Sequence, residues 1–95
     1  MPSYKLLFHP TAKKELNKLD NQTKLFIINS LDLFINNYSD SFEIEMIKQS
    51  KIKKLKGNLK GLYRFRLRNY RVIYEKLNDK LIIYIVRIAH RKEVY

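Results

Sequence analysis

The sequence has no cysteine and no tryptophan, and only two glycines and two prolines among its 95 residues. Without cysteine, neither a disulfide framework nor a thiolate metal site is available. The two histidines, His9 and His90, stand at opposite ends of the chain and offer no zinc-ligand spacing. No Gly-rich phosphate loop and no Ser or Cys nucleophile motif is present. No metal and no cofactor is therefore expected. No apolar run approaches the roughly 18–20 residues that a membrane span requires, and the N-terminus lacks the apolar core of a signal peptide. The expectation is a soluble, cytoplasmic protein with no membrane contact.

Acidic residues are also scarce, nine against twenty Lys and Arg. Their distribution matters more than their number. Residues 1–50 hold six of each sign and cancel, whereas residues 51–95 hold fourteen basic and three acidic side chains and carry the whole net charge of +11. Uncompensated charge of this density repels itself unless a polyanion neutralises it, and it draws such a partner in. With 45% hydrophobic residues the chain can bury one core. No linker or repeat divides it, so residues 1–95 are read as a single domain.

Tyr4–Phe8 is a short apolar run closed by Pro10, the pattern of an opening strand. Thr11 is placed to cap a first helix, with Ala12, Leu16 and Leu19 on one face. Asp20-Asn21 breaks the pattern, and Leu25, Ile28, Leu31 and Ile35 mark a second, largely buried helix from Gln22 to about Asn37. Residues 38–50 fit either a loop or a short helix around Phe42–Lys48. Residues 51–60 read as a lysine-rich loop. Leu62–Arg68 alternates, with Tyr63, Phe65 and Leu67 on one face and Arg64, Arg66 and Arg68 on the other. Tyr70–Lys76 and the almost wholly apolar Leu81–Ile88 complete an antiparallel sheet of about four strands, which the first strand can join. The expected class is α+β, an N-terminal strand and helical hairpin packed on that sheet.

The chemistry concentrates at the C-terminal end. Guanidinium groups grip phosphate oxygens bidentately and keep their charge, so Arg64, Arg66 and Arg68, with Lys56 nearby in sequence, are candidate phosphate-binding residues. Arg71 opens the next strand, and Arg87 and Arg91 lie along and beyond the last. The chain closes on His90-Arg91-Lys92-Glu93-Val94-Tyr95. Histidine suits proton transfer near neutrality, and arginine can stabilise charge developing on a phosphoryl group. Tyr63, Tyr70 and Tyr74 fit core packing better than base stacking. His9 has no evident partner and is read as structural. A nuclease built from these groups alone needs a 2′-hydroxyl as nucleophile, which makes RNA the expected substrate.

Leu55-Lys56-Gly57, Leu62-Tyr63-Arg64-Phe65-Arg66, Asn69-Tyr70-Arg71-Val72-Ile73-Tyr74 and Ile88-Ala89-His90-Arg91-Lys92-Glu93-Val94-Tyr95 together resemble the RelE-type toxins of bacterial toxin–antitoxin systems, within the RelE/ParE superfamily. Glu15–Leu19 fits the same pattern. The resemblance implies a metal-independent endoribonuclease that cleaves mRNA in the ribosomal A site, inhibits translation and is neutralised by a cognate antitoxin. Arg71 and Arg91 match the arginines that act on the transition state, and Tyr95 matches the C-terminal catalytic tyrosine. Arg64 and Arg66 stand where the best-known relative has lysines. Arginine is a poor base, so these two are assigned to phosphate and His90 becomes a proton-transfer candidate. The Tyr95 α-carboxylate is another, and the general base stays unassigned. Two alternatives accompany the resemblance: a ParE-like toxin that inhibits DNA gyrase without cutting RNA, and a non-catalytic RNA- or antitoxin-binding homologue. The His90-Arg91…Tyr95 ending favours the ribonuclease.

Overall fold

Each helix starts where a side chain can accept the otherwise unpaired amide hydrogens of its first turn. In the computed structural model, which describes residues 3–93, strand β1 (Lys5–Phe8) runs directly into α1 (Pro10–Asn17). The cap is His9, not Thr11: its Nδ1 accepts the Thr11 N–H at 3.1 Å, and Pro10 occupies the first helical position, where no amide hydrogen is needed. Helix α2 (Asn21–Asn36) is capped by Asp20, which accepts from the Thr23 hydroxyl at 2.7 Å and its N–H at 3.2 Å. These bonds, the hydroxyl's foremost, hold the Asp20 carboxyl below its ordinary range. Ser39 accepts the Phe42 N–H at 3.1 Å and starts α3 (Asp40–Lys48), which makes most of the open segment 38–50 a helix.

The sheet has the order β1-β5-β4-β3-β2, where β2 is Ile52–Lys54, β3 Leu62–Leu67, β4 Tyr70–Leu77 and β5 Ile82–His90. Strands β2 to β5 pair antiparallel, and β1 joins β5 in parallel with Leu6 opposite Ile83. The α+β class is as expected, and β2 emerges from within the lysine-rich stretch because Ile52 pairs with Phe65 and is 1% exposed. Two short 3-10 turns, Gly57–Leu59 and Arg91–Glu93, complete the described chain.

All three helices lie on one face of the sheet. Ala12, Leu16, Ile27, Leu31 and Phe34 pack there against Phe65, Val72, Tyr74, Ile83, Ile85 and Ile88 in one core. Tyr63, Tyr70 and Tyr74 share that face, with the Tyr63 and Tyr74 rings stacked at 5.0 Å, so their reading as packing residues holds. Two polar staples tie helices to strands. Glu43 on α3, 4% exposed, accepts from the Tyr74 hydroxyl at 2.6 Å and from Lys76 Nζ at 3.1 Å, while Asp40 takes a further Lys76 hydrogen at 2.9 Å. Glu15 on α1 binds Arg87 through both carboxylate oxygens and also accepts the Ile88 N–H at 2.8 Å. That last bond closes the edge of β5 beyond the reach of β1. No helix among the described residues is long and apolar enough to cross a membrane.

Candidate nucleic-acid interface

Strand alternation sends the residues between the core positions to the opposite sheet face, which no described helix covers. Phe65, Val72 and Ile88 point into the core, so Arg64, Arg66, Arg71, Ile73 and Ala89 point away from it. The register then sets like charges directly against one another. Arg66 faces Arg71 across β3–β4, and Lys53 faces Arg64 across β2–β3. Lys51 lies beside Arg66, which donates its N–H to the Lys51 carbonyl at 2.9 Å. Opposed like charges destabilise a sheet, by up to about 1 kcal/mol a pair. Here they sit in adjacent ladders.

Beneath them Ile73 and Ala89, 3% and 7% exposed, are buried outside the core cluster. They form an apolar floor under the arginine stems. The Nε groups of Arg64 and Arg71 are buried without a hydrogen-bond partner. A buried donor left unmade costs about 1–3 kcal/mol, more when charged. A phosphate oxygen is the acceptor that answers both the geometry and the charge.

The sequence candidates divide among three places. Arg64, Arg66 and Arg71 come together on the open face. Arg91 follows the end of β5: its N–H bonds the Asn69 carbonyl at 2.7 Å, one step beyond the Tyr70–His90 pair, and its exposed side chain begins the 3-10 turn, past the strand whose alternation places the others. Arg68 leaves the group. Strand β3 ends at Leu67, Arg68 enters the hairpin turn with φ 55°, and its guanidinium lies 3.8 Å over the Phe26 ring of α2. The strict alternation read over residues 62–68 therefore fails at its last position, because the turn reverses the chain. Arg87, held by Glu15, also turns from the cluster.

His90 differs most from its expected surroundings. It pairs with Tyr70 on the helix-facing side, their rings edge to face at 5.3 Å. It lines a cleft of about 390 Å³ with Glu15, Lys18, Leu19 and Tyr70. Its Nδ1 accepts the Lys92 N–H at 3.3 Å, so the neutral ring carries its hydrogen on Nε2. Lys56 sits with Lys54, Lys60 and Tyr63 in the β2–β3 connection, at the other end of β3 from the Arg66–Arg71 pair. Tyr95 lies outside the described residues. Lys51 and Lys53 join the open face without having been singled out in the sequence. Their signal was the alternation Lys51-Ile52-Lys53, too short to separate a strand from a loop.

A family model described as the ParE toxin of the type II toxin–antitoxin system, parDE, matches residues 6–95. No curated protein sequence matches the chain. Among solved structures, the RelB–RelE antitoxin–toxin complex of Methanococcus jannaschii contains a chain 28% identical, with a TM-score of 0.66 and 94% of each chain covered. The RelE–RelB complex of Pyrococcus horikoshii OT3 matches at 24% identity and TM-score 0.70, over 98% of this chain and 100% of that one. A RelBE toxin–antitoxin complex of Mycobacterium tuberculosis matches at 22% identity and TM-score 0.70, over 95% and 100%. These likenesses carry the fold of three helices on one face of a five-stranded mixed sheet. With a family model spanning nearly the whole sequence, the chain belongs to the ParE toxin family of type II toxin–antitoxin systems, within the RelE/ParE superfamily.

Proposed function

We propose that this toxin is a metal-independent endoribonuclease acting on mRNA, on the ribosome, and silenced by a cognate antitoxin. The observation that carries the reading is the open face. Five cations, Lys51, Lys53, Arg64, Arg66 and Arg71, stand in opposed like-charge neighbours over an apolar floor, and two of their buried donors lack a partner. Arg64 and Arg66 grip the RNA backbone. Arg71 and Arg91 stabilise the charge that builds on the scissile phosphate. The 2′-oxygen forms its bond to phosphorus as the bond to the 5′-oxygen breaks, leaving a 2′,3′-cyclic phosphate and a 5′-hydroxyl. The proton lost by the 2′-hydroxyl is matched by the one the 5′-oxygen gains. All described side chains of the cluster are cations, so the general base stays unassigned among the candidates read from the sequence, His90, Tyr95 and the Tyr95 α-carboxylate. The antitoxin partner is supported by the RelB-bound relatives.

The family model describes a ParE toxin, and this supports a second reading: a toxin of the same fold that binds and inhibits gyrase without cutting RNA. One experiment separates the two. After induction in a bacterial host, mRNA 5′ ends are mapped and plasmid supercoiling is followed. The ribonuclease gives new, codon-phased 5′-hydroxyl ends within minutes, and Arg71→Ala lowers their yield by about 10²-fold or more. Intact mRNA with relaxed plasmids assigns the chain to the gyrase-inhibiting branch.

A further inference from the structure

The open face continues past the arginines, and its far half has a different chemistry. Along β4 the same face carries Arg71, Ile73 and then Glu75. The ladders set Glu75 opposite Leu62 on β3 and Tyr84 on β5, and Tyr84 opposite Leu7 on β1. His9, two residues beyond Leu7 and of the same parity, holds its ring 5.8 Å from that of Tyr84, edge to face at 62°. Because His9 Nδ1 accepts the Thr11 N–H, the neutral imidazole keeps its hydrogen on Nε2. Donor, aromatic ring and carboxylate thus follow one another across three neighbouring strands, all half-buried.

Glu75 is the anomaly in this row. In a chain with twenty Lys and Arg, its carboxylate makes no ion pair or hydrogen bond with any described residue. Among the described residues, the other half-buried or buried acids, Glu15 and Glu43, are both engaged. Water supplies donors to the exposed part of a half-buried carboxylate, and a ligand that carries donors can take their place. Glu75 lies four residues along β4 from Arg71, about 13 Å at roughly 3.3 Å per residue. A phosphate on Arg71 and a base on Glu75 therefore belong to different nucleotides of one strand.

We propose that Glu75, Tyr84 and His9 form a base-reading strip for a nucleotide neighbouring the cleaved one, an inference that rests on the ribonuclease reading above. An unstacked base lies against the Tyr84 ring, its exocyclic amino group donates to Glu75, and His9 Nε2–H meets a base acceptor. Cytosine, adenine and guanine each present an amino group. Uracil has none, and flanks its single ring N–H with two carbonyl oxygens that a carboxylate repels. The strip therefore selects amino-bearing bases and rejects uracil.

The test uses the full chain and labelled single-stranded RNA heptamers of cytidine, adenosine or uridine, titrated at two salt concentrations. The wild type binds the cytidine and adenosine oligomers about tenfold more tightly than the uridine oligomer. Glu75→Gln, which keeps size and shape but adds a donor, collapses that ratio and leaves the salt slope unchanged. Arg71→Ala weakens all three alike and flattens the slope. Equal binding of the three oligomers by the wild type, or an unaltered ratio in Glu75→Gln, overturns the strip and leaves Glu75 to a protein partner. Absence of salt-dependent binding to any oligomer overturns the strip as a reader of free RNA, while the ribosome-dependent reading stands or falls separately on the mapping of mRNA 5′ ends.

Discussion

A single step along β5 decides what chemistry each side chain can reach. His90 and Arg91 are adjacent, yet alternation turns the imidazole toward Tyr70 and the helices, while Arg91 lies past the strand end and opens the 3-10 turn. Residue type alone makes His90 a proton-transfer candidate. Its surroundings add a positioning role: Nδ1 accepts the Lys92 N–H, within the 3-10 turn that carries Arg91. His90→Ala should therefore lower RNA cleavage by about 10–100-fold through a misplaced Arg91. His90→Asn, whose Oδ1 can accept the same N–H, should restore most of the rate. Cleavage assays that find Asn as inactive as Ala would instead give the imidazole the proton. Arg68 teaches a related lesson. Its charge and spacing were legible, but a positive φ and the ring of Phe26 redirected it.

At the scale of elements, the first two helices and the three long strands were visible because their signal is local, whereas the segment of α3 fits either a loop or a helix. The spacing of Leu25, Ile28, Leu31 and Ile35, and the alternation of Tyr63, Phe65 and Leu67, repeat with the period of the element itself, although α2 buries Ile27, Leu31 and Phe34 and leaves Leu25 59% exposed. What the pattern lacked was partners remote in sequence. The parallel pairing of β1 with β5, and the three-residue β2, are set by contacts with strands far along the chain. The Glu15 cap on β5 is of the same kind, joining residues 73 positions apart. Because β1 pairs only Ile82–Ile85, this bond protects the exposed half of the β5 edge. Glu15→Ala should cost about 1–3 kcal/mol in chemical denaturation for the orphaned Ile88 N–H and the lost charge partner. Glu15→Gln keeps the acceptor and loses only a partly exposed ion pair, about 0–1 kcal/mol. Equal losses in the two variants would place the stabilisation in the ion pair, not in the edge cap.

For the whole molecule, two opposite electrostatic regimes share one sheet. The helix side carries an ion-paired network in which Tyr74 is held well above its ordinary 10.0 by burial and by its bond to Glu43, and burial likewise raises Tyr38, whose hydroxyl has no hydrogen-bond partner among the described residues. Burial alone would lower Lys76, but contacts with Tyr38, Asp40 and Glu43 outweigh it and hold the ammonium above its ordinary 10.5. All three groups bind protons more tightly folded than unfolded. Their contribution is complete below pH 10 and is lost as pH rises above 10.0–10.5, where the unfolded chain alone gives up protons. Stability measured between pH 8 and pH 12 should fall steeply above 10. Glu43→Gln should be less stable at pH 8 and show a shallower decline, and a parallel decline in both proteins would remove the network as its cause. The open face has no such closure among its described residues, and the Nε groups of Arg64 and Arg71 lack a hydrogen-bond partner. Composition and periodicity by themselves determined the α+β class, the basic C-terminal half and the shared strand face of Arg64 and Arg66, since charge count and repeat period need no knowledge of distant neighbours. Only the tertiary structure decided that Lys51 and Lys53 join them, that His90 faces away and that Glu75 shares their face with Tyr84 and His9. Register is fixed by pairing between remote segments, and a shift of one residue would exchange the two faces of every strand.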